Sequence, residues 1–200
     1  MAGGLPSAKP MARDAEATKQ RIFEAARSEF AARGAAGGRI DRIASAASAN
    51  KQLIYAYFGS KQALFDAVVS ETVTRFLDEV PFDAENLPEF AVAAYDFFMD
   101  QPDILRLGAW HTLEPEARER EIPVIEKAVA HQMKAIKRAQ EAGIVAKTFG
   151  AQELLAMVTG IARAWAVAAP EIAHLTGDNA RIRARQRAAV REAVRRLVEP

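Results

Sequence analysis

The chain has no cysteine, which removes a disulfide framework, a thiolate nucleophile and a thiolate metal site from consideration. Histidine is scarce: His111, His131 and His174 lie far apart in sequence, and neither an HExxH motif nor a glycine-rich phosphate loop is present. These absences leave no catalytic or metal-binding constellation, so no enzyme activity, metal or cofactor is expected. Long hydrophobic runs are also missing. The apolar stretch around Ile161 to Ala169 is interrupted by Arg163 and is too short to span a bilayer. The opening residues, MAGGLPSAKPMA, lack the apolar stretch of a secretory signal, and a soluble cytoplasmic protein without membrane association is predicted. Period-two alternation of useful length is absent as well, which argues against strands and for an all-α fold.

What is present can fill a sizeable core: half of the 200 residues are hydrophobic. The net charge of +1 conceals an uneven distribution. Residues 1–60 carry nine basic and five acidic side chains, residues 61–120 five and thirteen, and residues 121–200 thirteen and eight. A basic front end beside an acidic middle suits a domain that meets phosphate, although such blocks also arise as solvated faces.

Residues 1–13 are rich in Gly, Pro and Ala and read as a disordered tail. A first helix over 14–33 places Ile22, Phe23, Ala26 and Phe30 on one face, with Gly34 as its stop. Two short helices follow, and Ser60 caps a fourth whose stripe of Leu64, Phe65, Val68, Val69, Phe76 and Leu77 runs to Pro81. Further helices are predicted over 89–100, over 102–111, from Pro115 or Glu121 to Ala142, over 151–168 and over 178–198, with Pro170 and Gly177 punctuating the last gap. About nine helices result.

The segment IDRIASAASANKQLIYAYFGSKQAL, from Ile40 to Leu64, carries the functional signal. Ile40, Ile43 and Ala44 recur at helical spacing, Ser48 and Ala49 form a small-residue turn, and Asn50 caps a helix that turns Leu53, Ile54, Tyr57 and Phe58 toward a core. Lys51, Gln52 and Tyr55 are left facing outward. A helix-turn-helix with those residues can lie in a major groove. In its first turn, Lys51 can donate to guanine O6 and N7 and Gln52 can pair with adenine.

These residues resemble the TetR-type bacterial transcriptional regulators. The resemblance rests on the Ile43-Ala44 pair, the run Leu53 to Phe58, and Gly59-Ser60-Lys61 leading into Gln62-Ala63-Leu64-Phe65, and it covers about Thr18 to Val69. Ser48 stands where the family usually has the turn glycine, Ala35 replaces an aromatic, and Gly38-Arg39 replaces the hydroxyl residues that cap the second helix. A serine at that turn is expected to pay for a positive φ. The resemblance implies an N-terminal helix-turn-helix domain, here 14–60, and a larger helical ligand-binding and dimerisation domain, here 61–200. It implies contacts to double-stranded operator DNA from Tyr55 and Lys61, alongside Arg39, Arg42, Asn50, Lys51 and Gln52, with Thr18 adding one from the first helix.

It further implies a homodimer and a small-molecule effector. For the dimer, Leu155, Ala162 and Ala166 make a second apolar face opposite Leu154, Val158, Ile161 and Trp165, and the last helix offers Ile182, Ala189, Val190, Ala193 and Leu197. Both faces being the core of a monomer is the alternative. For the effector pocket, Phe98, Trp110, His111, Met133, Met157 and Trp165 suit a largely apolar ligand, with plain core packing as the alternative. The arginines from Arg181 to Arg196 read as a salt-bridged helix face. The sequence therefore predicts a ligand-responsive repressor that binds a palindromic operator as a dimer. A helical small-molecule or protein binding module without DNA binding is the second reading.

Overall fold

The computed structural model describes residues 9–113, 122–168, 171–172 and 179–200, and among them every regular element is a helix. They are α1 (Lys9–Gly37), α2 (Ile40–Ala46), α3 (Lys51–Phe58), α4 (Lys61–Glu79), α5 (Leu87–Asp100), α6 (Pro102–Leu113), α7 (Pro123–Glu141), α8 (Ala151–Arg163) and α9 (Ala180–Val198). Residues 9–13 of the expected tail are thus the first turn of α1; the rest of that tail lies outside the described residues, as do Pro115, Pro170, His174, Gly177 and Asp178. The expected helix over 151–168 ends at Arg163, which leaves Trp165 and Ala166 in the turn that follows it.

The chain divides into two compact units. The first runs to Val69 and takes in α6 from Arg106 onward, whereas the sequence placed a boundary at 60/61. The difference has a packing cause. Leu64, Phe65 and Val68 of α4 are buried like Ile22, Ala26 and Phe30 of α1, and the Phe65 ring meets Phe30 edge-on at 5.3 Å. The opening turns of α4 therefore serve the reader's core. Phe58 closes the same core against Phe23, with ring centroids 5.2 Å apart. Gly34 breaks α1 at φ 67° and ψ 179°, a region open in practice to glycine alone, and a Cβ there would lie 2.9 Å from the Trp110 indole of α6. Trp110 Nε1 also donates to the Ala31 carbonyl at 3.2 Å.

The second unit is centred on α5, whose residues Leu87, Phe90, Ala91, Val92, Ala94, Tyr95 and Phe97 are buried. Helices α8 and α9 pack on α5, and α7 packs on α8. The Tyr95 hydroxyl donates to Gln186 Oε1 at 2.6 Å inside this core, which satisfies both buried groups. Outside it, Arg183, Arg187 and Arg191 of α9 pair with Asp100, Asp96 and Glu89 of α5, so the arginine-rich helix is salt-bridged as expected. Gln140 Nε2 donates to the carbonyls of Ala146 and Phe149 and fixes the turn between α7 and α8.

This core corrects part of the expected dimer face. Leu155, Ala162 and Val190 are buried among Leu154, Val158 and Val194 of the chain's own interior. Their burial has a packing cause: α8 is packed by α5, α7 and α9 and so buries more than one apolar row, and Val190 lies in the single buried row of α9, Gln186 to Val198, that faces α5 and α8.

Candidate nucleic-acid interface

The reader is built in chain order. Ile43 and Ala44 of α2 are buried, and Ala47 N donates back to the Ile43 carbonyl to close the helix. Ser48 then adopts φ 50°, the left-handed conformation expected of a residue in a glycine's place. Asn50 starts α3 with its side-chain oxygen accepting from Leu53 N at 2.7 Å, so that side chain is committed to the cap. Within α3, Ile54 is buried while Lys51, Gln52 and Tyr55 are exposed, as the outward face requires. Tyr57, assigned to the core by its spacing, is 36% exposed and joins Tyr55 (46%) on the accessible surface. An eight-residue helix resting on one core through Ile54 leaves most of its circumference in solvent, so spacing alone misplaces a residue at the edge of the stripe.

Lys51, Arg42 and Lys61 near this helix already have partners. Lys51 pairs with the Asp41 carboxylate of α2. Arg42 Nε donates to Glu29 Oε1 at 2.7 Å, and the opposite oxygen of Glu29 accepts from Arg33 at 3.1 Å. Glu29 Oε1 also accepts from the Arg39 backbone N–H at 3.0 Å, so one buried carboxylate ties α1 to the start of α2. The Arg42 guanidinium foremost, with the Arg39 N–H, holds the Glu29 carboxyl below its ordinary range despite burial. Lys61 Nζ donates to the carbonyls of Ala36 and Gly38 at 3.2 and 3.3 Å, capping the end of α1. Thr18 accepts from Arg21, whose Nε donates to the Ala47 carbonyl at the end of α2. Arg42, Lys61 and Thr18, expected among the DNA contacts, are engaged in the reader's internal network. The side chain of Arg39 remains exposed at the head of α2. Glu29 was not singled out from sequence, because nothing local to it signals the partners Arg39 and Arg42 from beyond its own helix.

Family comparison agrees with this geometry. Residues 22–68 match the model of the bacterial regulatory proteins of the tetR family, and residues 86–196 match that of the tetracyclin repressor-like C-terminal domain. The chain is 37% identical over 195 residues to the HTH-type transcriptional repressor SCO4008 of Streptomyces coelicolor, covering 94% of this chain and 98% of that protein. The chain belongs to the TetR family. The crystal structure of the transcriptional regulator SCO4942, also from Streptomyces coelicolor, superposes with a TM-score of 0.80 at 35% identity, covering 91% of this chain and 98% of that one. The HTH-type transcriptional repressor NicS of Pseudomonas putida is 29% identical over 109 residues, about half of each chain. As a TetR-family member the protein is a ligand-responsive, DNA-binding transcriptional regulator with an N-terminal helix-turn-helix domain and a helical C-terminal domain.

In this TetR-family chain the residues expected at the effector site are divided between the two units. Phe98, Met133, Met157 and Trp165 are half-buried against the core of the second unit. Trp110 and His111 belong to the first unit, where Trp110 covers Gly34, a correction that follows from α6 contributing its second half to the reader. Phe98 stacks on Phe76 at 5.2 Å and has its face occupied. The second unit does carry an open groove of about 660 Å³, lined by Leu77, Phe82, Val124, Lys127, Ala128, His131 and Gln132. Those residues come from the end of α4, the connection after it and α7, a combination no local pattern announces.

Proposed function

We propose that this regulator is a homodimeric repressor that reads a palindromic operator through α3 and is released by a small, largely apolar effector. The observation that supports operator reading best is the first turn of α3. Its backbone is capped by Asn50 and anchored by Ile54, while Lys51 and Gln52 stand exposed where helix-turn-helix proteins contact base edges. Tyr55 and Arg39 contact phosphates on either side and set the register.

The dimer forms through the outward faces of α8 and α9. Ala156 and Gly160, spaced four residues apart, are exposed on α8 with Ala164 in register just beyond it, and Ala189 and Ala193 are exposed on α9. Small side chains at that spacing allow two helices to approach closely, and four such helices bury the patch. The effector occupies the groove beside α7, where Lys127, His131 and Gln132 offer polar atoms beside the apolar lining of Leu77, Phe82, Val124 and Ala128. The name of the relative SCO4008 supports repression as the sign of regulation. Among the described residues no helix is long and apolar enough to cross a membrane, which accords with the proposed cytoplasmic site of action.

Selection of bound sequences from a random double-stranded DNA pool, at low and at near-physiological salt, tests this reading. An enriched palindrome with half-sites roughly 34–36 Å apart or slightly more is expected. Absence of enrichment would overturn operator reading and favour the DNA-independent binding module.

A further inference from the structure

Every polar side chain that lines the groove beside α7 comes from α7 itself: Lys127, His131 and Gln132. Residues four apart on a helix share a face, so Lys127 and His131 stand one above the other. No carboxylate lines the groove among the described residues. Gln132 is only 7% exposed, yet its amide makes no hydrogen bond among the described residues. The other two buried glutamines are satisfied: Gln140 Nε2 donates to the carbonyls of Ala146 and Phe149, and Gln186 accepts from Tyr95. A buried amide without a partner costs stability, and this one borders open space. Lys127 is exposed and forms no ion pair among the described residues.

We propose that the groove takes an apolar carboxylic acid, with its ionised head held by Lys127 and Gln132 beside His131 and its body laid along Leu77, Phe82 and Val124. The proposal rests on the reading of this groove as the effector site. An ionised carboxylate is a pure acceptor with two oxygens. The groove offers it donors: the Lys127 ammonium, the Gln132 Nε2 and an imidazole N–H, which His131 presents in either protonation state. Hydrogen bonds to a charged group are stronger than neutral ones, so the carboxylate is favoured over an amide on the same body. A cationic head meets the Lys127 ammonium as a like charge. Past Phe82 and His131 an adjoining hollow carries Asp83 and Glu85 together with Arg138. There Asp83 already accepts from the Glu85 backbone N–H, and the mixed charges give no comparable preference for one sign.

The test is calorimetric binding of two matched probe series to the full chain at neutral pH. One series is octanoate, octanamide and octylammonium; the other is naphthoate, naphthamide and naphthylmethylammonium. In at least one series the carboxylate is expected to bind about tenfold tighter than the amide, with the ammonium weakest. Lys127→Gln is expected to weaken the carboxylate about tenfold and to leave the amide within about twofold. Gln132→Leu replaces the unpaired amide by an apolar side chain of similar size. It is expected to raise the unfolding temperature of the ligand-free chain while weakening the carboxylate about fivefold, a combination that a purely structural glutamine would not give.

Absence of carboxylate binding in both series overturns the proposal, and so does equal binding of carboxylate and amide. Tighter binding of the ammonium also overturns it and moves the head to Asp83 and Glu85. A carboxylate preference that survives Lys127→Gln overturns the assigned contact, as does a Gln132→Leu chain that unfolds earlier and binds the carboxylate unchanged. Ala128→Trp, which fills the groove, is expected to abolish binding of the carboxylate; unaltered binding would place the site elsewhere and overturn the proposal. Failure of the effector reading alone looks different. The carboxylate then binds with the expected dependence on Lys127 but leaves the affinity for the enriched DNA duplex unchanged, which supports the acid site and removes only its regulatory role.

Discussion

At the level of single residues, the reader contains two features whose energetic sign can be stated. Ser48 is held at φ 50° in the turn between α2 and α3, where a Cβ costs about 1–2 kcal/mol. Ser48→Gly is expected to stabilise the chain by about 0.5–1 kcal/mol, the gain being reduced by glycine's greater freedom in the unfolded state. Thermal unfolding checks this, and a destabilised variant would refute it. Glu29 is the second feature. Its carboxyl titrates lower in the folded chain than its ordinary value of 4.5, chiefly through the hydrogen bond from Arg42. A carboxylate with a depressed folded pKa stabilises the fold at pH above its unfolded value and loses that contribution as pH falls through the folded one. Glu29→Gln is therefore expected to cost about 1–2 kcal/mol at neutral pH and to flatten the decline of stability below 4.5, measured by urea unfolding across pH. The strain at Ser48 was legible in the sequence as a serine at a turn that favours glycine. The Glu29 clamp was not, because Arg39 and Arg42 reach it only once α1 and α2 are packed.

For the helices, capping and periodicity located most elements to within a few residues, since Asn50, Ser60 and Asn179 each accept a backbone N–H at a helix start. Gly34, the expected stop of the first helix, breaks α1 at a positive φ, and one further helical turn follows to Gly37, with Trp110 of α6 lying over the glycine. Gly34→Ala meets two obstacles: a positive φ that disfavours any side chain, and an indole 2.9 Å from the new Cβ. A loss of about 2 kcal/mol or more is expected. Trp110→Phe, which keeps a ring over the glycine but removes the donor to the Ala31 carbonyl, should cost less, about 1 kcal/mol. If equilibrium unfolding ranks the two in the opposite order, the break at Gly34 does not depend on the indole in the way described.

On the scale of the whole molecule, the proposed dimer can be examined at Gly160 of α8. A Cβ built at Gly160 meets nothing within 4 Å, so a larger side chain is accommodated by the isolated chain. Glycine within a helix also costs about 1 kcal/mol relative to alanine, so a bulky helix former should not unfold the protomer. Gly160→Leu is expected to leave the helix content intact, shift the protein toward monomer in analytical ultracentrifugation, and weaken operator binding at least tenfold because the two readers are no longer held together. A fully dimeric Gly160→Leu with normal operator affinity would place the interface elsewhere.

The amino-acid sequence by itself determined the all-α class, the helix-turn-helix and its outward residues. Those depend on capping, turn chemistry and hydrophobic period, all of which act over a few neighbouring residues. Only the tertiary structure decided that Trp110 serves the reader, that Leu155, Ala162 and Val190 face the protein's own core, and that Lys51 is held by Asp41. Each of these is a choice among several apolar or charged partners that look alike in sequence. The choice is made by which helix faces come within contact distance, and no local pattern encodes that.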